Sequence, residues 1–443
     1  AFAGLTAADT QDAGGPSANG VYTGTFNTAV WTSADASGAS VTFTGGSNAV
    51  ADLVFTGTAT SPTQVKTAGT AATTGSTGRV GVINGTVTIA DGGATDSLTT
   101  VTVDGYANST VSSDALTTLS LANSGAGTMT VTTAATSLAM TVNDVDAAVS
   151  LDAGGATITA LNVTTDTTTS TFGLTAAAVT ALTVSGDALL DIDTGSTLTA
   201  LTTATVSGTA GLNADLTGLT VTSFNAAATS GNNTVTFDAT AGTYTGGSGV
   251  DTVTTSAVAP TKAVDLGAGD DSITLASGTT AMGAGGTIAG GTGTDTLVMV
   301  AADALLADNT NAFASSVTGF ERVSLTTVDG TAGTFDLLAL GPYNYVTIDG
   351  AVDDGGNADE VVTLTGLTSG ATVEVTGVIG LAADDDTVVV AITDAATGGT
   401  DVANLMVTAA GALAAGEVVV ADVEEADAQG VADCSSGDHD DEA

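Results

Sequence analysis

Along most of the chain apolar residues fall two apart, with Thr, Ser or Ala between them, and short clusters of Gly, Asn, Asp and Ser interrupt the alternation. Period-two alternation bounded by such clusters predicts β-strands joined by tight turns. From residue 96 the alternation becomes a repeat of the form apolar-Thr-x-apolar-x-apolar. It reads Leu98-Thr99-Thr100-Val101-Thr102-Val103, Leu116-Thr117-Thr118-Leu119-Ser120-Leu121, Ile158-Thr159-Ala160-Leu161-Asn162-Val163 and Val179-Thr180-Ala181-Leu182-Thr183-Val184. Anchoring on Val101, Leu119, Leu138, Leu161, Leu182, Leu201 and Phe224 gives steps of 18, 19, 23, 21, 19 and 23 residues. Most steps hold a second strand-like run, such as Thr128-Met129-Thr130-Val131 or Leu189-Leu190-Asp191-Ile192. Two strands and two turns per step describe one coil of a parallel β-solenoid, stacked at ~4.8 Å per coil. Several immunoglobulin-like sandwiches of Thr-rich strands are the alternative.

The solenoid is expected over 96–300, with sandwich-like β regions on either side. Residues 1–95 form an N-terminal β domain or cap, read as an antiparallel sandwich or an irregular cap, with Trp31 in its core beside Tyr22, Phe26, Phe43 and Phe55. Residues 301–344, with a helix-like run from Asp303 to Val317, form a helical cap and connector that would hide the open end of the last coil. Residues 345–425 return to strands as a C-terminal β domain, and 426–443 form an acidic tail. The acidic loops Asp353 to Asp359 and Asp384 to Asp386 are further candidates for cation binding.

Within the last coils three turns share one pattern. They are Gly246-Gly247-Ser248-Gly249-Val250-Asp251, Leu266-Gly267-Ala268-Gly269-Asp270-Asp271 and Gly290-Gly291-Thr292-Gly293-Thr294-Asp295, each leading into a short apolar strand. Glycine allows positive φ and presents bare carbonyl oxygens, and the aspartates add charged ones. Together they suit a hard cation that takes six to eight oxygens. Asp251, Asp271 and Asp295 lie 20 and 24 residues apart, the step of the coil, so the turns should stack along one edge. A degenerate turn, Ser230-Gly231-Asn232-Asn233-Thr234-Val235, precedes the first. The candidate metal ligands are therefore Gly247, Gly249, Asp251, Gly267, Gly269, Asp270, Asp271, Gly291, Gly293 and Asp295. Asp146, Asp152, Asp191 and Asp193, which lack the flanking Gly-x-Gly, are expected to be mostly solvated.

Charge narrows the function. With 48 acidic residues against four basic ones, Lys66, Arg79, Lys262 and Arg322, the chain carries a formal charge of −44. Nothing basic is available for phosphate, which excludes nucleic acid and argues against anionic membrane surfaces. No apolar run is long enough for a membrane-spanning helix. The only cysteine, Cys434, allows no intramolecular disulfide, so cations would have to do the stapling. The only histidine, His439, lies in the acidic tail, which leaves no credible Ser-His-Asp, Cys-His or His-Glu-x-x-His arrangement, and the expectation is a protein that is not an enzyme.

The glycine turns match the G-G-x-G-x-D-x-U-x repeat of RTX proteins. With the Thr/Ala-rich coils, the few cations and the run Val317-Thr318-Gly319-Phe320-Glu321-Arg322-Val323-Ser324-Leu325, the chain resembles the RTX-type surface-layer proteins of Gram-negative, especially alphaproteobacterial, cells. The specific motifs span about 230–330. In that family the nonapeptides run in tandem, whereas here one turn per coil is kept. The resemblance implies Ca²⁺ as cofactor, an extracellular location, and a structural subunit whose partners are itself and a cell-surface polysaccharide. It also implies one-step export read from a C-terminal signal. A calcium-rigidified adhesin that binds glycans or surfaces shares the same turns and is the other reading.

Overall fold

The computed structural model describes residues 99–377, apart from 107, 309–311, 329–330, 351 and 353–360, together with 387–392 and 402–408. For the outlying strands, from Val21–Gly24 to Thr86–Asp91 and at Val418–Ala421 and Glu425–Gln429, it describes the backbone. The Trp31 side chain, the loops 353–359 and 384–386, Cys434 and His439 lie outside the described residues. The protein is all-β, a parallel β-solenoid of about 12 turns. It divides into two compact units, Ala1–Val235 and Thr236–Ala443.

In the first unit one sheet runs through Thr100–Tyr106, Thr118–Ser124, Ser137–Asn143, Ala160–Thr165, Ala181–Gly186, Thr203–Gly208 and Ser223–Thr229, each paired in parallel with the next. A second sheet takes the alternate strands, among them Ser109–Ser112, Thr128–Thr132 and Ala148–Ser150. Parallel register sets like on like, with Leu138 opposite Leu161, Leu161 opposite Leu182, and Val163 opposite Val184. All of these are buried, as alternation requires. Each such Leu or Val contributes about 1.5–3 kcal/mol of burial, and the Thr between them faces outward with its β-branched carbon suited to the pleat.

Register departs from the sequence reading in two places. Leu119 pairs with Met140 and not with Leu138, and Leu182 pairs with Ala204 and not with Leu201. The first is a two-residue slip, which keeps every side chain on the same face, so alternation alone cannot fix it; in the second, Leu201 lies in the turn before the strand Thr203–Gly208.

The flanks also differ from expectation. Thr28–Ser33, Asp52–Gly57 and Thr86–Asp91 pair in parallel, as do Gly333–Asp336, Val361–Leu367 and Thr387–Ile392, where sandwich-like pairing was expected. Period two is common to both kinds of sheet and carries no sign of strand direction.

In the second unit the helices α1 (Ala301–Ala307) and α2 (Ala312–Ser316) do not end the stack. Arg322–Thr326 pairs with Thr296–Val300 across them and with Tyr345–Asp349 beyond. They form a side excursion of one coil, held by Ala301, Ala304, Ala307 and Phe313, all buried, and by the Gly278 N–H donating to Asp303 Oδ2 at 2.7 Å. A third short helix, α3 (Leu337–Leu340), starts from Asp336, whose Oδ1 accepts the Leu338 and Ala339 N–H groups.

Candidate metal centre

The three glycine turns lie in the second unit, each just ahead of a strand: Thr252–Thr255, Ser272–Thr274 and Thr296–Val300. These strands pair in parallel, Val253 opposite Ile273 and Ile273 opposite Leu297, so the turns stack coil upon coil as their spacing implies. Gly267, Gly269, Gly291 and Gly293 all have positive φ, of 97°, 144°, 109° and 143°. There a side chain would strain the backbone.

Stacking places the three aspartates in a row. Asp251, Asp271 and Asp295 are at most 1% exposed. The Asp251 N–H donates to Asp271 Oδ1 at 2.7 Å, and the Asp271 N–H donates to Asp295 Oδ1 at 2.9 Å. The row continues into Glu321, whose Oε2 accepts from the Asp295 N–H at 2.9 Å. Asp270 is exposed and accepts from the Thr294 N–H at 2.8 Å, bridging the second turn to the third.

Asp270, Asp271, Asp295 and Glu321 each give one oxygen to the neighbouring coil. The other oxygen of Asp271 and of Asp295 is buried and has no hydrogen-bond partner. Leaving a buried anionic oxygen unsatisfied costs several kcal/mol unless a positive charge stands beside it. Burial, reinforced by the Asp251, Asp295 and Asp270 carboxylates and opposed by the Asp251 N–H, pushes Asp271 up to about 7. Asp295 is raised in the same direction, again by burial, with Glu321 and Asp270 adding repulsion.

The glycines of the row are tightly packed. A Cβ added at Gly246 would lie 2.7 Å from Asp251 Oδ2, and one at Gly290 would lie 2.9 Å from Asp295 Oδ2. The Gly249 carbonyl oxygen lies 2.5 Å from where a Cβ on Gly269 would be, and the Gly269 carbonyl is similarly placed against Gly293. The Gly247 and Gly267 carbonyls accept N–H donors from the next coil, Ala268 at 2.8 Å and Thr292 at 3.0 Å. Of the candidate residues, the structure thus gathers the three buried aspartates and the glycine carbonyls along one edge. Asp270 stands at its exposed rim.

Every donor here is a hard oxygen, which fits Ca²⁺ or another hard cation and disfavours soft metals. Among the described residues no group of three or more His, Cys, Asp or Glu side chains could hold a metal by itself. A cation in this row would therefore draw much of its shell from backbone carbonyls. The residues fit calcium in that sense, and when bound it would supply the positive charge that the unpartnered oxygens lack.

Elsewhere the carboxylates have ordinary partners. Asp146 and Asp193 are exposed, Asp152 accepts from the Ala177 N–H at 2.9 Å, and Asp191 accepts from Asn213 Nδ2 at 3.0 Å. In the degenerate turn, buried Asn233 takes the equivalent task with a neutral amide, its Oδ1 accepting from the Leu212 N–H at 3.1 Å.

Two residues of the row escape a motif search. Tyr244, buried against Phe237 with ring centroids 5.8 Å apart, donates its hydroxyl to Asp251 Oδ2 at 2.7 Å. Glu321 carries no Gly-x-Gly signature, but its distance from Asp295 and the apolar strand after it continue the coil step, which could have flagged it. No protein-family model matches the chain, and no curated protein matches its sequence.

Proposed function

We propose that this protein is an extracellular structural subunit without catalytic role, a β-solenoid that calcium staples together and that assembles with copies of itself into a surface layer or filament. The observation that carries the reading is the stacked row Asp251, Asp271 and Asp295 with two buried, unpartnered carboxylate oxygens in a cradle of glycines. A divalent cation is the natural partner for oxygens of this kind, and a chain of charge −44 with four basic residues has few others.

Self-association is supported by the distribution of charge. Like charges brought together across an interface cost ~several kcal/mol, so copies need a neutral place to meet or a cation between them. In the first unit the strands Thr118–Ser124, Ser137–Asn143, Ala160–Thr165, Ala181–Gly186, Thr203–Gly208 and Ser223–Thr229 contain no charged residue. Their outward positions, such as Ser120, Asn162, Thr183 and Thr205, carry hydroxyls and amides. Asp144, Asp166 and Asp187 of the same coils follow these strands, in the turns.

Light scattering during a calcium titration at fixed ionic strength, with magnesium as control, tests the reading. Scattering should rise with calcium near the ~10⁻³ M range of weak extracellular sites and much less with magnesium. Thr183→Asp, which puts a charge on the neutral face, should suppress it while leaving the melting temperature nearly unchanged. A chain that stays monomeric throughout, yet binds calcium, would instead act as a calcium-stiffened adhesin for glycans or surfaces.

A further inference from the structure

The carboxylate row has two ends, and each is built differently from its middle. At the far end Glu321 stands opposite Asp295 in the same relation that Asp295 has to Asp271. The Arg322 N–H donates to the Asp295 carbonyl at 3.0 Å, as the Thr296 N–H does to the Asp271 carbonyl at 2.8 Å. The Asp295 N–H then donates to Glu321 Oε2, as the Asp271 N–H does to Asp295 Oδ1. Glu321 is thus a fourth rung, supplied by a turn with the single glycine Gly319, at φ 74°. A Cβ on Gly290 would run into the Gly319 carbonyl on one side and Asp295 Oδ2 on the other. A hard carbonyl oxygen and the unpartnered, fully buried Asp295 Oδ2 therefore both press close on Gly290, while the half-buried Glu321 carboxylate is tied to the Asp295 N–H.

At the near end the arrangement is closed. Asp251 presents its Oδ2 to the Tyr244 hydroxyl, so this oxygen has a neutral donor. Tyr244 is buried and packed on Phe237, which fixes the hydroxyl where it is.

We propose that Glu321 is a metal ligand that shares the last cation of the row with Asp295, and that Tyr244 is a stop that keeps a cation from the outer oxygen of Asp251. This rests on the calcium reading above and adds where the row begins and ends. The row then takes a cation at each unpartnered oxygen, Asp271 Oδ2 and Asp295 Oδ2, and none beyond Tyr244.

Calcium titration calorimetry on the full chain, stripped with chelator and checked by circular dichroism, separates the possibilities. Glu321→Gln keeps an acceptor for the Asp295 N–H but removes the charge. It should bind one calcium fewer than the parent chain, or bind it about tenfold or more weakly, because charge count sets calcium affinity. Glu321→Asp keeps the charge on a shorter stem and should retain the full count, which also covers the case in which the glutamine variant does not fold. Tyr244→Phe removes this hydrogen bond to Asp251 Oδ2 and should add one calcium. Binding by Glu321→Gln identical to the parent overturns the ligand role, and so does a lost calcium in Glu321→Asp equal to that in Glu321→Gln. An unchanged count in Tyr244→Phe overturns the stop. If the folded parent chain binds no calcium at residues 246–321, seen as no change in their hydrogen exchange, the calcium reading itself fails.

Discussion

The two units solve the same problem with different chemistry. Wherever a coil turns, backbone N–H groups face the next coil and need acceptors. In the first unit buried neutral side chains provide several of them: Ser124 Oγ accepts from the Asp146 and Ala147 N–H groups at 2.7 and 2.8 Å, Ser170 Oγ from Val145 at 3.2 Å, and Asn233 Oδ1 from Leu212, while the carboxylates that do so there, Asp152 and Asp187, are not buried. In the second unit Asp271, Asp295 and Glu321 do it with carboxylates. A hydroxyl or amide completes its corner by itself. A carboxylate completes the corner and leaves charge over, so the second unit is the one whose order should depend on what the solution offers.

The largest effect expected is on removing calcium. Hydrogen exchange across 246–321 should speed up by about 10²-fold or more in excess chelator, the scale of losing a ligand held at ~100 times its dissociation constant. Exchange across 118–229 should stay as it was. Equal sensitivity of both stretches would erase the distinction between neutral and charged corners.

A transplant sharpens it. Asn233→Asp places the second unit's chemistry into a corner of the first, where Asn233 is buried with 1% exposure. An uncompensated charge there should destabilise the first unit by about 3 kcal/mol, read as a shift in its denaturation midpoint, with partial recovery on adding calcium. A change below ~0.5 kcal/mol would show that the corner is open enough to hydrate a charge.

The smallest effect is that of pH on the calcium-free protein. Asp271 titrates near 3.8 when unfolded and is raised to about 7 when folded, so between those values the folded chain binds the extra proton. Stability therefore falls as pH rises from about 4 to about 7 and levels off above. Thermal melting of the second unit should move down by a few degrees over that window, while that of the first unit holds steady. A rise in melting temperature over the same range would mean that the row is already neutralised by something other than protons.

Much of this architecture was legible because a β-solenoid repeats its physics. The anchors Leu119, Leu161, Leu182 and Phe224 announced the coil, and all four are buried. What stayed hidden was whatever alternation does not encode. Met140 replaced Leu138 as a partner without changing face, Leu201 fell in the turn before the strand that Ala204 serves, and strand direction in the flanks left no trace in the pattern. The middle of the carboxylate row was visible through its glycines, because positive φ makes glycine a written requirement. Its ends were not, since Tyr244 resembles any buried aromatic and Glu321 needs no unusual backbone of its own.

The excursion between Val300 and Val317 has a practical consequence. One coil leaves the stack, builds two helices and returns, and the next strand still pairs from Thr296↔Arg322 through Val300↔Thr326. Ladder hydrogen bonds are made between neighbouring strands, so what a corner extrudes does not disturb the rungs on either side. Such a corner can serve as a mounting point. A foreign peptide or small domain spliced into this excursion would be carried outward like a tool on a handle, and if copies assemble, it would be displayed at the spacing of the array.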